Sequence, residues 1–124
     1  MVRIYRIGEA EKAVRAGYEA SYVADLIFRE PLDSCGIILV DIDPDGKSSP
    51  HAHEHLEEAF IALSPLSIYV NNICHELNEG DVVLVDPGEA HSFESRTEMK
   101  GRMLAMKFPN IKDDKVVPVG GGED

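Results

Sequence analysis

The sequence predicts an all-β domain, a sandwich or a barrel, and two observations carry that reading. Short runs rich in Val, Ile and Leu recur along the chain, each bounded by Gly, Pro, Asn or Asp, as in strands joined by tight turns. Segments of helical periodicity are almost absent, so there is little from which to build a helical layer. The 124 residues suffice for one hydrophobic core and not for two. One domain is expected over 1–118, followed by a flexible tail over 119–124 (Val-Gly-Gly-Gly-Glu-Asp), which carries no packing signal.

Taken in order, Val2-Arg3-Ile4 alternates apolar and basic and opens the chain with a short strand. Residues 9–17 (Glu-Ala-Glu-Lys-Ala-Val-Arg-Ala-Gly) are Ala-rich and end on a glycine. They are expected to form one or two helical turns, too few to stand alone. Residues 18–28 are richer in Tyr, Val, Leu and Ile and are expected to be partly strand, and Glu30-Pro31-Leu32-Asp33-Ser34 is a turn. The run 36–42 (Gly-Ile-Ile-Leu-Val-Asp-Ile) is the clearest early strand, closed by the turn Asp43-Pro44-Asp45-Gly46. A strand over 59–63 is broken by Ser64-Pro65. Residues 66–70 and 73–77 flank Asn71-Asn72, and adjacent asparagines tolerate the positive φ of a two-residue hairpin turn. Strands at 82–85, 92–95 and 100–108 complete the set, the last stopped by Pro109.

Composition narrows the function. A hydrophobic fraction of 44% marks a globular chain, and a net charge of −11 argues against nucleic-acid and anionic-membrane partners, both of which need basic surface. The opening residues lack the apolar core of a signal peptide and no run reaches membrane-spanning length, so a cytoplasmic location is expected. Cys35 and Cys74 adjoin apolar strand residues and are expected to be buried, unpaired thiols.

The chemistry concentrates in Gly46-Lys47-Ser48-Ser49-Pro50-His51-Ala52-His53-Glu54-His55-Leu56-Glu57-Glu58. His51 and His53 are two apart, so in an extended chain both imidazoles leave one face, and a carboxylate follows at the start of the next strand. Two imidazoles and a carboxylate suit a borderline divalent metal. Far downstream, His91 follows a Gly-Asp, an apolar strand and a Pro-Gly turn. If strand parity ran unbroken, Glu57 would face the side of His53; a bulge through Glu54-His55-Leu56 would bring Glu58 there instead. Glu58 abuts the apolar strand and is the preferred ligand, with Glu57 the alternative. His55 reads as a rim histidine, because each two-residue step carries a side chain about 6.6 Å along the strand. His75 reads as structural.

These two stretches, with Gly46, His51, His53 and Glu58 in the first and Gly80-Asp81, Pro87-Gly88 and His91 in the second, resemble the two motifs of the cupin superfamily. Ser64-Pro65 stands where the first motif closes on Gly, Asp86 where the second has Pro, and Ser95 where it has Asn; the four ligand positions are filled. The resemblance implies a double-stranded β-helix of jelly-roll type, here with a short N-terminal helical segment. One divalent transition metal (Fe, Mn, Ni, Cu or Zn) would sit at one mouth on His51, His53, Glu58 and His91. It further implies a small-molecule metalloenzyme, of dioxygenase or sugar-isomerase type; the alternative is a non-catalytic ligand-binding or sensing module. An acid or base is not distinguished among Glu57, Glu94 and Tyr69. Phe60, Met103 and Met106 are candidates for pocket lining, and Arg96, Arg102 and Lys107 for anchoring an anionic substrate. A homodimer is expected by analogy, with residues 2–7 lying on a partner.

Overall fold

The computed structural model describes residues 1–44 and 46–116. Its strands are β1 (Arg3–Tyr5), β2 (Glu11–Arg15), β3 (Tyr18–Tyr22), β4 (Gly36–Ile42), β5 (Ala52–His53), β6 (Glu57–Ala62), β7 (Leu66–Val70), β8 (Ile73–Leu77), β9 (Val82–Val85), β10 (His91–Ser95), β11 (Gly101–Phe108) and β12 (Lys115–Val116). One sheet runs β1-β9-β6-β11-β4, a second β10-β7-β8, and every pairing is antiparallel. The chain from Lys47 to His51 extends the second sheet, bridging Lys47 to Glu94 and His51 to His91, and β5 then pairs β12.

Alternation along the strands builds the core. β6 turns Phe60 and Ala62 inward, β11 Met103 and Ala105, and β7 Leu66, Ile68 and Val70, all buried between the two sheets. β7 and β8 form the expected hairpin, with Asn71 at φ 49° and Asn72 at φ 67°.

The helical segment expected over 9–17 is not there. A single 3-10 turn spans Ile7–Glu9, and Glu11–Arg15 pairs with Tyr18–Tyr22 as a hairpin. Gly17, at φ +87°, serves this hairpin turn instead of capping a helix. A helix this short is marginal by itself, and the Tyr-rich strand beside it offers a ladder of hydrogen bonds that outweighs Ala propensity. Cys35 and Cys74 are free, as expected, but both are exposed, on a loop before β4 and on the outward side of β8. Arg3–Tyr5 pairs β9 of its own chain and forms the edge of the first sheet opposite β4. The tail at 119–124, the end of the domain at 118 and Asp45 of the first turn lie outside the described residues; that turn is closed by the Gly46 N–H donating to the Asp43 carbonyl. No helix of the described residues is long and apolar enough to cross a membrane.

Candidate metal centre

Backbone pairing assembles the site. The His51 N–H donates to the His91 carbonyl at 3.0 Å, and the His91 N–H returns the bond to His51 at 2.8 Å. The Gly88 N–H of the Pro-Gly turn donates to the His53 carbonyl at 2.8 Å, tying the two histidine-bearing stretches together a second time. Gly88 is at φ +85°, which side-chain-bearing residues rarely adopt, so the turn that presents His91 needs its glycine.

Between β5 and β6 the chain bends at Glu54 and His55, and strand parity is lost there. Glu58 therefore joins Phe60 and Ala62 on the inner face of β6. The donor atoms of His51, His53, Glu58 and His91 lie within 4.8 Å of one another. Glu57 turns the other way: its carboxylate accepts from the Arg29 N–H at 2.8 Å and from the Arg3 guanidinium at 3.4 Å. His53, Glu58 and His91 are buried, and His51 half-buried.

The donor set fits a metal. His91 Nδ1–H donates to the Glu89 carbonyl at 3.0 Å, which leaves Nε2 as an inward lone pair. That Nε2 is buried and without a hydrogen-bond partner, 3.3 Å from Glu58 Oε1 but off hydrogen-bond geometry. Two electron-rich atoms held face to face in a buried site call for a cation between them. His53 Nε2 lies 2.9 Å from the same carboxylate oxygen. Two donors bound side by side on an ion at about 2.1 Å would be about 3.0 Å apart, so this spacing suits a shared metal. Burial above all, with His91 and Lys115 as neighbours, pushes His51 down to about 4, so its ring stays neutral and able to ligate at neutral pH. Burial also pushes the Glu58 carboxyl up, but the His53 hydrogen bond and the imidazole of His91 beside it outweigh burial and bring the group down to about 2.

Residues 38–107, more than half of the chain, match the family model described as the cupin domain. The chain belongs to the cupin family. This cupin resembles an uncharacterized conserved protein with a double-stranded β-helix domain from Klebsiella pneumoniae (16% identity, TM-score 0.63, covering 73% of this chain and 76% of that one). It also resembles the Lactobacillus farciminis oxalate decarboxylase (18%, TM-score 0.61, 68% and 26%) and the salicylate 1,2-dioxygenase of Pseudaminobacter salicylatoxidans (10%, TM-score 0.55, 60% and 21%). This cupin thus spans about a quarter or less of those two enzymes, and at such identities the likeness shows the double-stranded β-helix fold. No curated protein sequence matches it.

A cavity of about 260 Å³ opens beside the cluster. His51, His53 and Glu58 form one wall, and Phe60, Phe93 and Met103 pack against it. Lys107 of β11 and Lys115 of β12 line it too. Of the other residues singled out in the sequence, Met106 faces the outer side with Ile7 and Ile61. Arg102 is bound to Asp41 at 2.9 Å, and Arg96 donates to the Leu77 carbonyl at 3.0 Å. Tyr69 donates to Glu94 at 2.8 Å on the outer face of the second sheet. His75 borders a separate groove with Arg6 and Asp81, and buried Asp81 accepts from the Ile7 and Asn78 N–H groups and from Arg6. His55 is an exposed rim residue, its Nδ1 2.9 Å from Asp114, whose hydrogen bond raises the histidine's pKa. Sequence reasoning missed Lys115 and Asp114, which reach the site by a long-range return of the chain that leaves no local pattern.

Proposed function

We propose that this cupin is a small-molecule metalloenzyme holding one divalent transition metal on His51, His53, Glu58 and His91. The observation that carries the reading is the unpartnered inward Nε2 of His91 facing the Glu58 carboxylate. Bound there, the metal supplies Lewis acidity toward a substrate oxygen and, if iron or copper, redox capacity toward O₂.

The chain's own residues favour oxygenase-type chemistry over sugar isomerisation. An isomerase moves protons between carbons or oxygens and needs a base beside the metal. Among the described residues lining the cavity, Glu58 is the one carboxylate, and it is occupied with the histidines. A sugar also needs several hydroxyl partners, whereas beside the histidines and Glu58 the polar lining is Ser48, Lys107 and Lys115, and the rest is Ile38, Val40, Phe60, Phe93, Met103 and Ala105. These apolar walls exclude water and orient a compact organic body toward the histidines.

Elemental analysis of protein purified without added metal or chelator, beside a His51→Ala, His91→Ala double variant, tests the proposal. About one transition-metal ion per chain, lost in the variant, supports it, and consumption of O₂ with a bound organic substrate supports the oxygenase form. Equal, negligible metal in both proteins would leave a non-catalytic binding module. The expected homodimer belongs to the same reading: Ile37 and Leu39 are exposed on the outward side of the edge strand β4, an apolar row that a second copy would cover. Sedimentation as a monomer at working concentration would remove it.

A further inference from the structure

The cavity beside the histidines has an unexpected charge. In a chain of net charge −11, the described charged residues lining it, apart from histidine, are Lys107, Lys115 and Glu58. Glu58 is turned toward His53 and His91. Neither lysine has an ion pair or side-chain hydrogen bond among the described residues. By contrast, Arg3 is paired with Glu57 and Asp86, and Arg6 with buried Asp81.

The sheet dictates where Lys107 points. On β11 it continues the inward series of Met103 and Ala105, and its neighbours across the ladder are Glu58 on β6 and Gly36 on β4. Lys107 is half-buried on the inner side of the barrel mouth, where a ligand anion can pair with its ammonium. Glu58 stands beside it in register yet is not within ion-pair distance. Lys115 comes from the far end of the chain: β12 pairs β5 with Lys115 opposite His53, bringing a second, exposed lysine to the rim of the same cavity.

We propose that Lys107 and Lys115 anchor the carboxylate of a small, mostly apolar organic acid, whose body lies on Phe60, Phe93 and Met103 and whose far end reaches the His51/His53/His91 cluster. This names the substrate class of the metal-dependent reading above and rests on it. The size follows from the cavity: about 150 Å³ of apolar space accommodates benzene, so 260 Å³ holds a ring or short aliphatic body with one carboxylate. Overall acidity does not oppose this, because surface charges beyond about 8 Å are screened at physiological salt.

The test is calorimetric titration of the metal-analysed protein with benzoate and hexanoate, with benzamide as the neutral analogue. Lys107→Met, Lys115→Met and the double variant are titrated alongside, with circular dichroism and metal content for each. Benzoate should bind roughly tenfold or more tightly than benzamide, as loss of a charge-assisted hydrogen bond implies. The double variant should lose that margin while keeping its metal, and Lys107→Arg, Lys115→Arg should restore most of it. Equal affinity for benzoate and benzamide overturns the proposal, as does no benzoate binding to metal-loaded protein. Lysine-independent benzoate binding also overturns it, because the carboxylate is then held by the metal alone, and the metal reading survives. Lysine-dependent benzoate binding by a protein that carries no metal sustains the anion site and defeats the metalloenzyme reading. If the double variant is unfolded by circular dichroism, the folded single variants decide, each expected to lose part of the margin.

Discussion

His51 and His91 are partners twice over: their backbones exchange two hydrogen bonds, of 3.0 and 2.8 Å, and their rings lie 4.5 Å apart, centre to centre. The placing of these two proposed ligands, which come from distant parts of the sequence, is thus set by antiparallel register. A site prepared in this way separates the cost of folding from the cost of binding metal.

That separation predicts different outcomes for the two histidines. His51 is half-buried at the mouth, and His51→Ala should lose the metal while costing the metal-free protein about 1 kcal/mol or less. His91 is fully buried against Phe60 and Phe93, and His91→Ala should lose the metal and also cost about 2–4 kcal/mol through the cavity it leaves. Metal titration and urea unfolding of both variants measure the two quantities; equal destabilisation would contradict the account.

The two adjacent glutamates should part company as cleanly. Glu58→Gln removes the carboxylate that faces His53 and His91, and the metal should be lost. Glu57→Gln leaves the ligands untouched but weakens the bonds from Arg29 N–H and Arg3, so metal content should stay near wild type while stability falls by about 1–3 kcal/mol. Loss of metal in the Glu57 variant with retention in the Glu58 variant would reverse the assignment.

Acid should destabilise the metal-free protein in two overlapping steps. His51 is held at about 4 against an ordinary 6.5, so the unfolded chain binds the proton first and the contribution present above pH 6.5 is lost as pH falls toward 4. Glu58 is held at about 2 against 4.5, so its contribution is lost as pH falls from 4.5 toward 2. Urea midpoints of chelator-treated protein between pH 7.5 and 4.5 should therefore fall, with a shallower slope in His51→Ala. An unchanged slope in that variant would exclude His51 as the source.

Much of this was legible in the sequence wherever a signal was local. The β-branched run of Gly36–Ile42, the Asn71-Asn72 turn and the Val82–Val85 strand stand where turn chemistry and composition put them. The grouping of His51, His53, Glu58 and His91 was legible through the resemblance of the two stretches to cupin motifs, and the bend at Glu54 and His55 explains why simple parity pointed at Glu57. The hairpin of β2 and β3 was hidden because residues 11–15 have helical propensity locally and become a strand only through a neighbour. The exposure of both cysteines was hidden because adjacency to apolar residues does not say which side of a strand a residue takes. Lys115 was hidden for a longer-range reason: nothing near it marks the return that pairs it with His53.

That return also yields a prediction about Asp114. Its carboxylate accepts from the N–H groups of His55 and Leu56, at 2.9 and 3.0 Å, and holds His55 Nδ1 at 2.9 Å, while its carbonyl accepts from the Glu54 N–H at 3.1 Å. One buried acid thus clamps the bend between His53 and Glu58, the segment whose path decides which glutamate faces inward. Burial pushes Asp114 up, but the two N–H bonds and His55 outweigh it, so the carboxylate is charged at neutral pH. Asp114→Ala leaves buried N–H groups unsatisfied and should cost about 1–3 kcal/mol. It should also weaken metal binding, because Glu58 is no longer held in place, although Asp114 touches none of the four ligands' donor atoms. Asp114→Asn keeps one acceptor and should fall between. His55→Ala, which removes the exposed ring but none of the backbone bonds, should leave metal affinity near wild type. Competition with a chelator of known affinity ranks the variants; if His55→Ala matched Asp114→Ala, the ring and not the clamp would be the cause.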